Sequence, residues 1–181
     1  MLEKPIKKVL VFNNRLEIVY QKEHVFATTL DEDGFECDDL GLIEDWVLLS
    51  IKELIVDFHF NIVAVNFTTY GASMLFLDKH GHCLTPLYNY LKPVPASVED
   101  KLFYNYGGKE EFCRKTASPA LGLLLNAGIQ ILWLKEMQPK LYGKVKHMLH
   151  FPQYLSYLYT KRFVSEPTSI GCHTFYGTLT S

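Results

Sequence analysis

The sequence has no excess of charge of either sign. Its 18 Lys and Arg stand against 20 Asp and Glu, for a formal net charge of −2. The basic residues form no stripe, so nothing electrostatic points to nucleic acid or an anionic membrane as a partner. Long apolar runs are also missing. The longest, such as Val47–Ile51, fall far short of the roughly 20 residues that a membrane-spanning helix needs. Lys4, Lys7 and Lys8 are followed only by the short run Val9–Phe12, with no small-residue cleavage site, so no signal peptide is expected. Cysteine is sparse: Cys37, Cys83, Cys113 and Cys172 are widely spaced and include no CxxC pair. That usage points to reduced thiols and a cytoplasmic location. Repeats and low-complexity stretches are absent.

What remains is a chain of 181 residues, 48% apolar, enough for one globular domain with its own core over residues 1–181. Lys8–Phe12 and Glu17–Phe26, separated by the Asn13-Asn14 turn signal, read as a hairpin. Leu30–Asp39 is acidic, contains Gly34 and reads as a loop, with Asp38 or Asp39 placed to cap a helix. Leu40–Phe58 has apolar residues at helical spacing, and its Leu42, Trp46 and Leu49 face is expected to pack on the sheet. Asn61–Phe67 and Ala72–Leu77 read as buried strands, the second ending in a turn over Asp78–Gly81. His80-Gly81-His82-Cys83 is better explained by that glycine-centred turn than by metal binding. Leu84–Tyr90 reads as extended up to the breaker Lys92-Pro93-Val94-Pro95. Helices are expected over Val98–Tyr106, Lys109–Lys115, Asn126–Met137 and Gln153–Tyr159. Trp46 and Trp133 read as core. Cys172 and His173 are not a nucleophile–base pair, because adjacent side chains rarely face each other and no third group orients them.

Three strings carry more than periodicity. Thr69-Tyr70-Gly71-Ala72-Ser73-Met74-Leu75-Phe76-Leu77-Asp78, then Gly81 and Leu84–Tyr90, resembles the first-lobe signature of the FGGY carbohydrate kinases, most closely its rhamnulokinase and L-fuculokinase-like members. Thr116–Pro119 followed by Ile131-Leu132-Trp133-Leu134-Lys135 and Pro139 resembles that family's Trp-Leu-Lys helix. His150-Phe151-Pro152-Gln153-Tyr154-Leu155, with Ser165-Glu166 and Ser169-Ile170-Gly171, resembles its Pro-x-Asp/Gln-Tyr-Leu helix and Ser-rich segment. Order and spacing together weigh more than any single string.

The resemblance implies an α/β, RNase H-like (actin-like ATPase) lobe, incomplete, with a mixed central sheet and flanking helices. It implies phosphoryl transfer from ATP to a sugar hydroxyl, with Mg2+ on the phosphates, in a complete enzyme. The sugar expected is a deoxyketose such as L-rhamnulose or L-fuculose. Thr69, Tyr70 and Gly71 are the first pocket candidates: glycine admits close backbone approach, and tyrosine offers a flat face and a hydroxyl. Tyr88, Asn89 and Tyr90 are the second, on the segment expected to re-enter the pocket. Asn89 can donate and accept, while the two tyrosines serve core packing as readily.

The departures from the family pattern lie at the ends. Met1, Glu3 and Pro5 stand where the family carries its Asp-x-Gly-x-Thr phosphate hairpin, and the general base is expected beyond Ser181. Met1–Ile6 can be encoded so that a neighbouring frame reads Asp-Val-Gly-Lys-Thr-Asn, and Thr174–Thr180 so that it reads Leu-Leu-Trp-Asp-Phe-Asp. A truncated, frame-disrupted lobe is therefore expected, holding neither ATP nor metal and inactive alone. A stand-alone sugar-binding or regulatory module and half of a split kinase are the alternatives. Self-association is expected through an apolar patch at Tyr154, Leu155, Tyr157, Leu158 and Tyr159.

Overall fold

A computed structural model describes residues 6–175. The chain opens with β1 (Lys7–Phe12) and β2 (Ile18–His24), an antiparallel hairpin that turns where Asn13 accepts from the backbone N–H of Arg15 and Glu17. A second hairpin, β3 (Thr28–Leu30) and β4 (Glu36–Asp38), leads into α1 (Leu40–Val56). Asp39 is the N-cap of α1 and accepts from Leu42 N at 3.1 Å, satisfying one of the helix's first free donors. The acidic stretch read as a loop is thus the tip of a short hairpin. Asp31 holds it by accepting from the backbone N–H of Asp33 and Phe35.

β5 (Met74–Leu77) pairs with β6 (His147–His150), and this ladder is the middle of the molecule. All four β5 residues are buried. Alternation explains why: Leu75 and Leu77 point to one apolar cluster with Leu149, Ile43, Val47, Ile51 and Tyr154, while Met74 and Phe76 point to another with Tyr88, Phe103, Ile129 and Trp133. The first cluster is closed by α1 and α6 (Phe151–Thr160). The second is closed by α2 (Ala96–Asn105) and α4 (Ala127–Met137). α3 (Lys109–Thr116), between α2 and α4 in the chain, and the one-turn α5 (Pro139–Tyr142), after α4, pack on the same second cluster, and Pro139 starts a new turn instead of merely ending the last helix. The described chain ends on α7 (Pro167–His173).

Several expectations are corrected. Asn61–Phe67 is not a buried strand: it has no ladder partner among the described residues, and Val63 is 88% exposed. With that strand unpaired, the described strands form three separate two-stranded antiparallel ladders, not one mixed sheet. The buried face of α1 is Ile43, Val47, Ser50, Ile51 and Leu54. Leu42 and Leu49, expected inward, lie exposed one step round the helix. Most of the patch expected on α6 is covered: Tyr154, Leu155 and Tyr157 are buried, with Tyr154 donating to Glu44 at 2.5 Å, Leu158 is half-buried, and only Tyr159 is exposed. No helix of the described residues is long and apolar enough to cross a membrane.

Candidate functional site

Gln130 fixes the approach to β5. This fully buried α4 side chain donates to Ala72 O at 2.6 Å and Leu124 O at 2.7 Å and accepts from Met74 N at 3.2 Å. It thereby pins the loop Thr69–Ser73 against the helix layer. Within that loop Thr69 Oγ1 donates to Tyr70 O at 3.1 Å. Tyr70 turns inward, its hydroxyl donating to Asp38 Oδ2 at the end of β4. Lys7 Nζ lies 3.0 Å from the same oxygen and 5.4 Å from the centre of the Tyr70 ring. Burial first, and then the bond to Asp38, push the Tyr70 phenol well above its ordinary value, so it stays protonated and acts as a donor.

The segment read as re-entering the pocket does come back to this loop at one point. The Tyr90 ring lies 5.6 Å from that of Tyr70, with Phe151 behind Tyr70 at 5.5 Å. Asn89 spends its amide within the fold: Nδ2 donates to Glu36 O at 3.0 Å, and Oδ1 accepts from Leu91 N at 2.9 Å. Tyr88 points the opposite way, into the second cluster. It is almost fully buried, its ring edge-on to Trp133 at 4.9 Å and its hydroxyl on Glu32. The structure therefore brings together Thr69, Tyr70, Gly71 and Tyr90, places Asn89 at the margin, and sets Tyr88 apart.

Sequence reasoning missed the partners that hold this arrangement. Asp38 was assigned only a capping role, and Lys7 none. Lys92 looked like part of a breaker, yet its buried ammonium meets Asp31 and Asp33, each at 2.6 Å, and lies 5.2 Å and 5.0 Å from the Tyr88 and Trp133 rings. Burial works against the Lys92 charge, but the two carboxylates outweigh it and raise its pKa. This clasp ties the β3–β4 tip to the segment bearing Asn89 and Tyr90. On the other side, His173 of α7 stands directly behind Gly71: a Cβ on Gly71 would lie 2.8 Å from His173 Nε2. His150 Nε2 and His173 Nδ1 are buried without a hydrogen-bond partner among the described residues. Burial and the neighbouring His173 hold His150 below its ordinary pKa, and hence neutral. No spacing rule links residues 7, 38, 71, 92 and 173; only the fold does.

The hairpin expected at phosphate falls on residues 1–5, outside the described residues, as does most of the altered end, from Tyr176 to Ser181. Among the described residues no group of three or more His, Cys, Asp or Glu side chains stands ready to hold an ion. A wide surface hollow of about 460 Å3 is lined by Gly107, Gly108, Lys109, Glu110, Glu111 and Arg114, none of which belongs to the Tyr70–Tyr90 arrangement.

The sequence model of the FGGY family of carbohydrate kinases, N-terminal domain, matches residues 6–178. A rhamnulokinase of Oceanobacillus iheyensis is 26% identical over 158 residues, covering 87% of this chain and 32% of that protein. Among solved structures, a carbohydrate kinase from Novosphingobium aromaticivorans superposes with a TM-score of 0.81 at 24% identity, over 97% of this chain and 36% of that one. The ligand-bound xylulose kinase from Lactobacillus acidophilus gives 0.78 at 19% identity, over 93% and 34%. These likenesses show the fold, the α/β RNase H-like lobe. The chain spans about a third of the length of the relatives it matches.

Proposed function

This chain belongs to the FGGY family of carbohydrate kinases, and from that footing we propose that it is the sugar-binding part of the N-terminal lobe of an ATP-dependent kinase acting on a deoxyketose such as L-rhamnulose or L-fuculose in the cytoplasm. The observation that carries the reading is the meeting of Tyr70, Gly71 and Tyr90 from two segments some twenty residues apart in sequence, beside the Lys7–Asp38 pair. Aromatic faces take the C–H side of a sugar, and a backbone opened by glycine admits its hydroxyls. The rhamnulokinase relative supports a deoxyketose over other sugars. Phosphoryl transfer depends on positioned phosphates and a positioned base. The 181-residue chain is therefore proposed to bind sugar without turning it over. A coupled ADP-release assay and a calorimetric titration, both run on a ketose panel, test this together. The expected result is saturable binding of L-rhamnulose or L-fuculose with no ADP above a blank. Turnover by the chain alone overturns the inactive reading, and a preference for an aldose or a phosphorylated sugar overturns the substrate class.

A further inference from the structure

Two buried amides stand one above the other on α4, Asn126 at its N-cap and Gln130 four residues on. Asn126 shapes the loop before the helix: its Oδ1 accepts from Leu121 N at 2.9 Å, and its Nδ2 donates to Pro119 O at 2.8 Å. That loop carries Gly122 and Leu123 at positive φ, 76° and 54°, a path that a leucine keeps only when its surroundings hold it there. Leu124 comes next. Its carbonyl accepts from Gln130 Nε2, and its N–H donates to Tyr90 O at 3.1 Å. The other hydrogen of Gln130 Nε2 goes to Ala72 O, next to Gly71, while Oε1 accepts from Met74 N.

One side chain therefore spans both halves of the Tyr70–Gly71–Tyr90 arrangement. It reaches the Gly71 segment directly and Tyr90 through a single residue, Leu124. A buried amide costs more than an apolar side chain of the same length unless its bonds are made. Here both of its donors are spent, and on the two segments whose spacing defines the candidate pocket. Methionine would fill much the same space and hold neither carbonyl. We propose that Gln130 is the positioning residue of the sugar site: it sets the spacing between the Gly71 backbone and the Tyr90 segment, and with it the affinity for a ketose. This rests on the sugar-binding reading above.

Calorimetric titration of L-rhamnulose and hydrogen exchange, both on the whole chain, test it. Gln130→Met is expected to weaken binding about tenfold or more and to speed exchange at the amides of Met74 and Leu124 together. Gln130→Glu, its carboxyl kept protonated by burial at about pH 6, retains the acceptor and one donor. Its affinity is expected to fall between those of the wild type and Gln130→Met at the same pH. Leu134→Ala, buried on the same helix, is the stability control. It should lower the melting temperature at least as far, yet leave affinity within about twofold of the wild type. Circular dichroism verifies that each variant folds; if Gln130→Met does not, Gln130→Glu decides by the same readouts. Wild-type affinity in the Gln130 variant, an equal loss in Leu134→Ala, or exchange that quickens at only one of the two amides overturns the proposal. A wild type that binds no ketose overturns the sugar reading instead, and exchange at the two amides still decides whether Gln130 ties the two segments.

Discussion

Gly71 and Lys92 do opposite work around the candidate site, one by having no side chain and the other by burying a charged one. Gly71→Ala must displace His173, since the new Cβ falls 2.8 Å from Nε2. The expected outcome is a lower melting temperature and weaker sugar binding, with both partly restored by adding His173→Ala; titration calorimetry and a thermal melt check it. For Lys92 the deciding fact is that the Asp31 side chain is fully buried while that of Asp33 is 59% exposed. Lys92→Met leaves the Asp31 carboxylate buried without its cation and is expected to cost about 3–5 kcal/mol in a denaturant melt. Asp33→Asn, at the wet end of the same clasp, should cost below about 1 kcal/mol. His150 brings a pH dependence. Its pKa is lowered in the folded chain by burial and by His173, so just below the ordinary value the unfolded state holds more protons than the folded one. Stability is then full above that value and falls as the pH drops below it. Melting temperatures measured between about pH 7 and 5 should decline, and the decline should be shallower in His150→Gln.

At the scale of elements, α1 separates two readings of one helix. Ile51→Ala on its buried face is expected to cost about 2–4 kcal/mol, and Leu49→Ala on its exposed face under about 0.5 kcal/mol, by chemical denaturation. The helix itself was legible because its apolar residues keep helical spacing over Leu40–Val56. Which apolar stripe faces inward was not, because both stripes are apolar and the choice is made by β5, β6 and α6. β5 was legible for the same reason it is stable: an uninterrupted Met-Leu-Phe-Leu run buried on both faces. Its partner β6 was missed, since His147-Met148-Leu149-His150 alternates too briefly to announce a strand. Asn61–Phe67 shows the converse. Composition called for a strand, but a strand exists only when a neighbour satisfies its backbone, and among the described residues none does. In the site, Tyr70, Gly71 and Tyr90 came from recognised strings, whereas Asp38, Lys7 and His173 arrive from remote parts of the chain and could be found only in three dimensions.

Across the whole molecule, family membership and lobe architecture rest on a match over residues 6–178 and on structural likeness over nearly the full chain. The sugar and the division of labour between binding and phosphoryl transfer are the proposals built on them. Their common root is that Tyr70, Gly71 and Tyr90 receive a ketose. The direct measurement is a calorimetric titration of L-rhamnulose into the wild-type chain and into Tyr90→Ala and Gly71→Val, with Tyr106→Ala, exposed and distant in sequence, as control. The account predicts saturable binding by the wild type and the control, weakened about tenfold or more in the two site variants while their circular dichroism stays native. Binding unchanged in both variants, or no binding of L-rhamnulose, L-fuculose or any other ketose by the folded wild-type chain, would contradict it.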